Sequence, residues 1–184
     1  MKKIDSAKIE KAVEMIIEAI GEDKNRDGLL DTPKRVAKMY EELAKGYAEK
    51  PQEHLGRTFE NAESDLVIER DIAFSSTCEH HLMPFLGKAH IVYIPDGKVV
   101  GLSKLARVVE VFARRLQLQE RMNTEIADSI QKHLKPKAVG VVLEAEHTCM
   151  TARGVNKPGS KTYSCVVRGE ATPALLQIVA SLMK

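Results

Sequence analysis

The sequence predicts an α+β protein in which an N-terminal helical pair precedes a body of strands and helices. Apolar residues recur at helical spacing in the first third of the chain. From about residue 65, runs of β-branched and aromatic residues alternate with further helical stripes. A chain of 184 residues is long enough for one sizeable core but short for two full domains. We therefore expect a helical appendage over residues 1–62 and a single main body over residues 63–184.

Two amphipathic helices are predicted in the appendage. The first lies between a cap at Asp5 or Ser6 and a stop at Gly21, and the second begins at Thr32-Pro33. Their apolar stripes consist of Ile9, Val13, Ile16, Ile17 and Ile20 in the first helix and Val36, Met39, Tyr40, Leu43 and Tyr47 in the second. Because both stripes must be buried, we expect the appendage to pack on the body or on a neighbouring subunit.

The body is predicted to contain five strands and three helices. The strands cover residues 66–74, 87–95, 98–100, 138–145 and 161–168. The helices cover residues 102–116, 126–134 and 173–182, with a break at residues 117–121. No repeat, low-complexity tract or domain linker interrupts this order.

Composition excludes several classes of function. A net charge of +2 implies no global attraction to nucleic acid or to a membrane, and an aromatic fraction of 4% counts further against nucleic-acid binding. The three cysteines are an odd and sparse set, which favours a reducing compartment over a disulfide framework. No apolar run reaches the length of a signal core or a membrane span. We therefore expect a cytoplasmic protein with neither nucleic acid nor a membrane as a partner.

A candidate metal half-site lies at residues 78–81, Cys-Glu-His-His, directly after a predicted strand. Cys78 and His81 alone are a weak signal, but Cys149 follows another predicted strand in the same way. Three thiolate and imidazole ligands favour zinc with an open fourth position, as in catalytic sites. The alternative is a closed structural site with Cys165 as fourth ligand. The sequence favours the open site, because a cysteine inside an apolar strand is more often a buried packing residue.

Two further histidines lie close to the predicted ligands. His80 is adjacent to His81, and His147 comes two residues before Cys149. Neighbouring residues of an extended chain point to opposite sides, so we expect a proton-transfer role rather than additional metal ligation. The alternative for His80 is a hydrogen bond that only supports a metal ligand.

A candidate phosphate site lies at the predicted start of a helix. Ser103 would leave backbone N–H groups pointing outward, and Lys104 and Arg107 share one face of the helix. Arg153, four residues after Cys149, could bring another cation to the same place. The alternative is an ordinary N-cap at Ser103 with cations on a solvated face.

Gln119 and Glu120 lie in the predicted break between two helices. A carboxylate held in such a loop can accept hydrogen bonds from the N1–H and the exocyclic amine of a guanine ring, which adenine cannot offer. Considered alone, such a pair usually belongs to a solvated loop.

Together these motifs resemble those of the GTP cyclohydrolase I family. The resemblance rests on five segments in the family's order, at residues 78–87, 90–95, 101–107, 112–121 and 147–154, and it extends over the whole chain. One departure is the segment 168–173, which lacks the aromatic residue that often follows Gly169 in relatives. It puts only the packing of the C-terminal segment in question.

The resemblance implies a role for each candidate residue. Cys78, His81 and Cys149 would bind Zn²⁺, and His80 and His147 would transfer protons. Ser103, Lys104, Arg107 and Arg153 would bind the triphosphate, and Gln119 and Glu120 would bind the guanine. By the same resemblance Cys165 is a packing residue.

The implied reaction is zinc-dependent hydrolysis of GTP at guanine C8. It opens the imidazole ring, releases formate and forms 7,8-dihydroneopterin triphosphate, the first step of folate and pterin biosynthesis. A non-catalytic pterin- or nucleotide-binding member of the same fold is the competing hypothesis. That alternative predicts loss of one of the open-site residues, and none is missing.

The family also implies a fold and an assembly. The fold is the tunnelling fold, or T-fold, with an antiparallel four-stranded sheet that has helices on one face. Residues 63–184 would form this catalytic body, preceded by the helical pair. The implied assembly is a homodecamer of two pentamers, with active sites at the subunit interfaces.

Overall fold

The computed structural model describes residues 4–60 and 66–183. The predicted boundary between residues 62 and 63 lies outside these ranges. No helix within them combines the length and the apolar character needed to cross a membrane.

Helices and strands alternate through the body as the sequence predicts, with several short additions. The helices are α1 Ser6–Ala19, α2 Thr32–Leu43, α3 Pro51–Leu55, α4 Leu102–Ala113, α5 Gln119–His133, α6 Thr148–Thr151 and α7 Pro173–Ser181. The strands are β1 Thr58–Glu60, β2 Val67–Cys78, β3 Pro84–Ile94, β4 Lys98–Val100, β5 Leu116–Gln117, β6 Ala138–His147 and β7 Thr162–Gly169. A 3₁₀ turn at Lys45–Tyr47 follows α2.

The main sheet has the strand order β5-β2-β3-β6-β7. Its four long strands are antiparallel, in agreement with the sheet that the resemblance implies. The fifth strand, β5, is only two residues long and pairs in parallel with the end of β2, where Cys78 lies opposite Gln117. The short strands β1 and β4 form a separate antiparallel pair.

The larger core lies between one face of the sheet and the helices α4 and α5. Alternate residues of β3, such as Phe85, Ile91 and Tyr93, point into this core and are fully buried. Val108 of α4 and Ile126 of α5 pack against them. The two long helices therefore cover one face of the sheet, as expected for this fold.

The C-terminal helix α7 packs on the opposite face of the sheet, at one end. Val92 and Val142 point to this side and form a second cluster with Leu175 and Val179 of α7. Gly140 permits the contact, because a Cβ atom there would lie only 2.5 Å from Val179 Cγ2. The C-terminal helix is thus well packed, although the aromatic residue is missing after Gly169.

Two predicted strands extend further than their apolar runs suggested. β2 continues to Cys78 and β6 to His147, because β3 pairs with both strands along its whole length. Helix α5 starts at Gln119, so the predicted break at residues 117–121 is much shorter. Several functional candidates therefore lie at the ends of regular elements and not in loops.

The N-terminal pair packs helix on helix and docks on the body through the turn after α2. Gly46 N–H donates to Arg114 O at 3.0 Å, and Tyr47 Oη accepts from Leu116 N–H at 3.0 Å. The apolar stripe of α1 is partly covered within the described residues, since Ile17 is buried, whereas Ile16 and Ile20 are 59% and 71% exposed. A neighbouring subunit as the partner of the exposed part stays a prediction.

Candidate active site

The three predicted metal ligands converge at one end of the sheet. Cys78 ends β2, His81 follows in the turn to β3, and Cys149 lies in α6 directly after β6. Cys78 Sγ is 3.7 Å from His81 Nδ1 and 4.0 Å from Cys149 Sγ. All three ligand atoms lie within 4.8 Å of one another. This spacing allows one metal ion to contact all three.

A tight turn between β2 and β3 brings His81 back over Cys78. Cys78 O accepts hydrogen bonds from His81 N–H at 3.3 Å and from Leu82 N–H at 2.9 Å, and Cys78 N–H donates to Met83 O at 2.8 Å. Leu82 adopts a φ of 54°, a left-handed conformation that costs of order 1–3 kcal/mol for a residue other than glycine. The closed turn therefore holds a strained residue beside two metal ligands.

The arm that carries Cys149 is fixed by strand register. Phe85 of β3 lies opposite His147 of β6, and Thr148 Oγ1 donates to Pro84 O at 2.5 Å. These contacts hold α6 against the start of β3, next to the Cys78 turn. Two segments about 70 residues apart are thereby brought to one point.

The donor set fits a thiophilic ion such as zinc. Two thiols and an imidazole are typical zinc ligands, and this is the single group of three or more such donors within residues 4–60 and 66–183. Burial and the neighbouring Cys78 thiol raise the pKa of Cys149, and a bound cation would favour its thiolate form at neutral pH.

Cys165 is not part of this group, so the structure offers no support for a four-ligand site. It lies on β7 and its side chain is exposed. The prediction of a buried packing cysteine is therefore wrong for the single chain. The reason is that β7 is an edge strand and α7 covers only one end of this face of the sheet.

His147 is held between an aromatic ring and a buried amide. Its ring stacks on Phe85, with centroids 4.6 Å apart and planes 4° from parallel. Its Nε2 lies 2.8 Å from Gln119 Oε1. Burial lowers the pKa of His147, while the nearby Glu120 carboxylate opposes that shift, so the neutral imidazole is favoured near pH 7.

His80 lies at the open side of the same site. Its ring is exposed and meets His81 edge to face, with centroids 6.1 Å apart. A cavity of about 300 Å³ lies beside the ligands. Of the predicted site residues it is lined by Cys78, His80, His81, Gln119, Glu120, His147 and Cys149.

The predicted phosphate residues of α4 do not join this cavity. Ser103, Lys104 and Arg107 lie at the start of the helix, whereas its other end leads into β5 beside Cys78. Twelve helical residues span about 18 Å. Gly101 occupies the N-cap position, so the interpretation of Ser103 as an ordinary N-cap is wrong. Arg153 lies nearer, just beyond α6, where its charge opposes the rise that burial causes in the pKa of Cys149.

A comparison with known families decides which family this chain belongs to. The family model for GTP cyclohydrolase I matches residues 9–179. The chain belongs to the GTP cyclohydrolase I family. It is therefore an enzyme that acts on GTP, at the first step of pterin and folate synthesis.

Curated relatives agree with the GTP cyclohydrolase I assignment. Proteins named GTP cyclohydrolase 1 from Clostridium kluyveri and Carboxydothermus hydrogenoformans are 62% and 61% identical over 166 and 167 residues. Each match covers 90% of this chain, and 90% and 87% of the respective relatives. The Streptococcus pneumoniae protein of the same name is 55% identical over 166 residues, 90% of both chains.

Among solved structures, the crystal structure of the archaeosine synthase QueF-Like in the apo form is similar. Its TM-score is 0.50 at 16% sequence identity, and the match covers 60% of this chain and 99% of that one. At this identity the likeness concerns the fold alone. It agrees with the tunnelling fold expected for a GTP cyclohydrolase I body.

No role for Glu79 could be predicted from the sequence, and the structure provides a contact for it. Glu79 forms an ion pair with Arg121 of α5, and this hydrogen bond lowers the pKa of Glu79. Arg121 Nε also donates to Gln117 Oε1 at 3.1 Å. The network ties the candidate metal-binding turn, residues 78–83, to α5. Local sequence patterns contain no signal for it, because its partners are 42 residues apart.

Proposed function

We propose that this GTP cyclohydrolase I is a zinc enzyme that opens the guanine ring of GTP at C8, releasing formate and forming 7,8-dihydroneopterin triphosphate. The observation that carries the proposal is the convergence of Cys78, His81 and Cys149 within 4.8 Å, beside a cavity lined by two further histidines. Zinc held by these three residues would supply Lewis-acid activation of water.

His147 and His80 are proposed as the proton-transfer residues. His147 is partly buried and favours the neutral imidazole near pH 7, so it can pass a proton to or from the substrate ring. His80 is exposed at the open side of the cavity, where solvent can restore its proton. This difference in exposure supports proton exchange with the substrate at His147 and with solvent at His80.

Glu120 is proposed to bind the guanine base. Its exposed carboxylate lies in the first turn of α5 and lines the cavity, so it can accept hydrogen bonds from N1–H and the exocyclic amine. Gln119, predicted with it for the same role, has its side-chain amide engaged within the chain. We therefore assign Gln119 a different role below.

The triphosphate site is proposed to be completed between subunits. Ser103, Lys104 and Arg107 lie at the far end of α4 from the proposed metal ligands, so a neighbouring copy would bring its own set to this cavity. Arg153 lies close enough to Cys149 for its charge to affect that thiol. These cations would hold and orient the substrate at a distance from the reacting carbon. Because this proposal places the two groups of residues on different subunits, it requires a homo-oligomer, such as the decamer that the resemblance implies.

Open surfaces of the chain support such an oligomer. β5 covers only the last two residues of β2, and β7 pairs on one side among the described strands, so both edges of the sheet can pair further. The exposed apolar stripe of α1 requires a cover as well.

We also propose that the appendage, residues 1–62, and the T-fold body, residues 63–184, act as one functional unit in the cytoplasm. The hydrogen bonds of Gly46 and Tyr47 to the segment before α5 support the first statement. Two thiols that must stay reduced to bind a metal support the second.

The function is tested by measuring zinc content and formate release together. Zinc-loaded protein incubated with GTP should release formate and yield a fluorescent pterin after oxidation. Cys149→Ser should lose zinc and activity in parallel, whereas Cys165→Ser, a matched control at an exposed cysteine outside the donor group, should keep both. Wild-type protein that binds zinc but releases no formate would refute the proposal.

A further inference from the structure

The side chain of Gln119 can adopt only one orientation of its amide group. Gln119 is 1% exposed, and its Nε2 donates to two backbone carbonyls, Leu143 O at 3.1 Å and Thr162 O at 3.0 Å, with Ser164 Oγ 3.3 Å away. A flipped amide would place its oxygen against these two carbonyl oxygens, which cannot donate a hydrogen bond. The amide oxygen is therefore directed at His147.

This orientation determines which nitrogen of His147 carries the proton. Gln119 Oε1 is an acceptor only, and it lies 2.8 Å from His147 Nε2. A hydrogen bond at this distance requires a hydrogen on Nε2. In the neutral ring Nδ1 then bears the lone pair. Stacking on Phe85 fixes the plane of the ring, so the hydrogen bond and the stack together hold His147 in a single pose.

We propose that Gln119 is a positioning residue, which holds His147 as the Nε2–H tautomer and leaves Nδ1 as the atom that exchanges a proton with GTP. This inference rests on the proposed role of His147 in proton transfer. It replaces the guanine contact that the sequence predicted for the Gln119 side chain. Its physical basis is a buried amide with both of its ends already bonded, in direct contact with a histidine of the cavity.

A guanine contact would disrupt this arrangement. For Gln119 Nε2 to reach the base, the buried Leu143 carbonyl and the partly buried Thr162 carbonyl would lose their donor, and His147 Nε2 would lose its acceptor. The adjacent Glu120 is exposed at the cavity and meets no such obstacle. Gln119 thus orients a histidine, and the neighbouring Glu120 faces the substrate.

The tautomer can be observed directly by ¹⁵N NMR of histidine-labelled, zinc-loaded full-length protein, with the His147 signals assigned by their loss in His147→Gln. In the wild type we expect a protonated Nε2 and an unprotonated Nδ1. A predominant Nδ1–H tautomer would overturn the inference without any variant. The measurement needs no turnover, so it tests the inference even if wild-type protein releases no formate and the proposed function fails.

Kinetics of Gln119→Leu separate positioning from substrate binding. We expect the Nε2–H preference to be lost and kcat to fall about 10- to 100-fold with KM little changed. Glu120→Gln should instead raise KM. If Gln119→Leu raised KM in the same way at unchanged kcat, or kept the wild-type tautomer, Gln119 would not be a positioning residue.

Asn123→Leu is the matched control for damage to packing. Asn123 is a buried amide one turn further along α5, and it donates to Ser164 Oγ without contacting His147. Its substitution should keep the wild-type tautomer, kcat and KM, even if it lowers stability. A loss of the tautomer in both variants would mean that any disturbance of α5 has this effect, and would overturn the specific role of Gln119.

Discussion

At the scale of single residues, the two histidines beside the metal group differ in what surrounds them. His147 is bounded by Phe85 and Gln119, whereas His80 is open to solvent. A constrained, neutral imidazole is suited to proton exchange in a defined direction, and an exposed one to exchange with bulk water. Residue types alone do not distinguish the two, because both are histidines next to metal ligands.

His147→Ala should separate metal binding from chemistry. His147 is not a member of the three-ligand group, so the variant should retain zinc, while formate release falls at least about 100-fold with the loss of a general acid–base group. Zinc analysis and a formate assay on the same sample check both statements. Unchanged turnover would remove His147 from the mechanism.

His90 should make the protein less stable in weak acid. His90 Nδ1 accepts a hydrogen bond from Asp71 N–H at 3.1 Å. Burial lowers the pKa of His90 below the usual 6.5. The charges of Asp71 and Glu144 oppose this shift, and those of Arg70 and Lys88 add to it. The folded state therefore disfavours the protonated ring. The stability that His90 contributes is complete above about pH 6.5 and is lost as the pH falls from there toward the lowered pKa.

His90→Asn is the variant that tests this pH dependence. Asparagine offers an acceptor oxygen to Asp71 N–H but does not titrate. The melting temperature of the variant should fall less than that of the wild type between about pH 7.5 and pH 5. Equal losses in the two proteins would show that His90 does not contribute.

At the scale of elements, the two-residue strand β5 connects the turn after β2 with the N-terminal appendage. Gln117 pairs with Cys78 and accepts from Glu79 N–H at 3.0 Å, while Leu116 donates to Tyr47 of the appendage. Arg121 adds the ion pair from α5 to Glu79. The metal-binding turn is thus held by β5 and α5 together.

Glu79→Gln should loosen this turn and weaken metal binding. The variant keeps the size of the side chain but loses the charge that pairs with Arg121, so we expect zinc affinity to fall about 10- to 100-fold, as for other groups that support metal ligands. Competition with a chelator measures the affinity. Asp71→Asn, which removes an exposed ion pair with Lys88 outside the metal-binding turn, is the control and should leave zinc affinity unchanged.

The elements themselves were largely predictable, and their ends were not. Apolar periodicity predicted the long helices and strands, because burial on one side imposes that period on the sequence. The extension of β2 to Cys78 and the start of α5 at Gln119 depend on pairing and packing with distant segments. For this reason the local pattern did not indicate them.

At the scale of the whole molecule, one chain holds two halves of a site that do not meet. The candidate metal ligands and Glu120, the proposed guanine-binding residue, lie at one end of α4, and Lys104 and Arg107 lie at the other. The exposed edges of the sheet and the exposed side chains of Ile16 and Ile20 on α1 are the surfaces that the proposed oligomer would use. The proposed oligomer would bring complementary halves together.

Mixing two inactive variants should restore activity if sites are shared between subunits. Cys149→Ser lacks the metal half and Arg107→Ala lacks the phosphate half. When they are co-expressed in equal amounts, about a quarter of the interfacial sites should combine two intact halves. Formate release from the purified mixture checks this. A double variant, Arg107→Ala with Cys149→Ser, mixed with Arg107→Ala cannot form an intact site. Equal inactivity of both mixtures would place the whole site in one chain.

The sequence by itself determined the chemistry available to this protein. Residue identity and short spacing are enough to recognise the donor types at residues 78, 81 and 149, the adjacent histidines and the order of the five family-like segments. The family model confirmed the resemblance to GTP cyclohydrolase I. The tertiary structure decided how those groups are used. It placed the amide oxygen of Gln119 against His147, left Cys165 exposed, and separated the cations of α4 from the candidate metal ligands. These outcomes depend on strand register and on helix orientation, which arise from contacts between residues far apart in the chain.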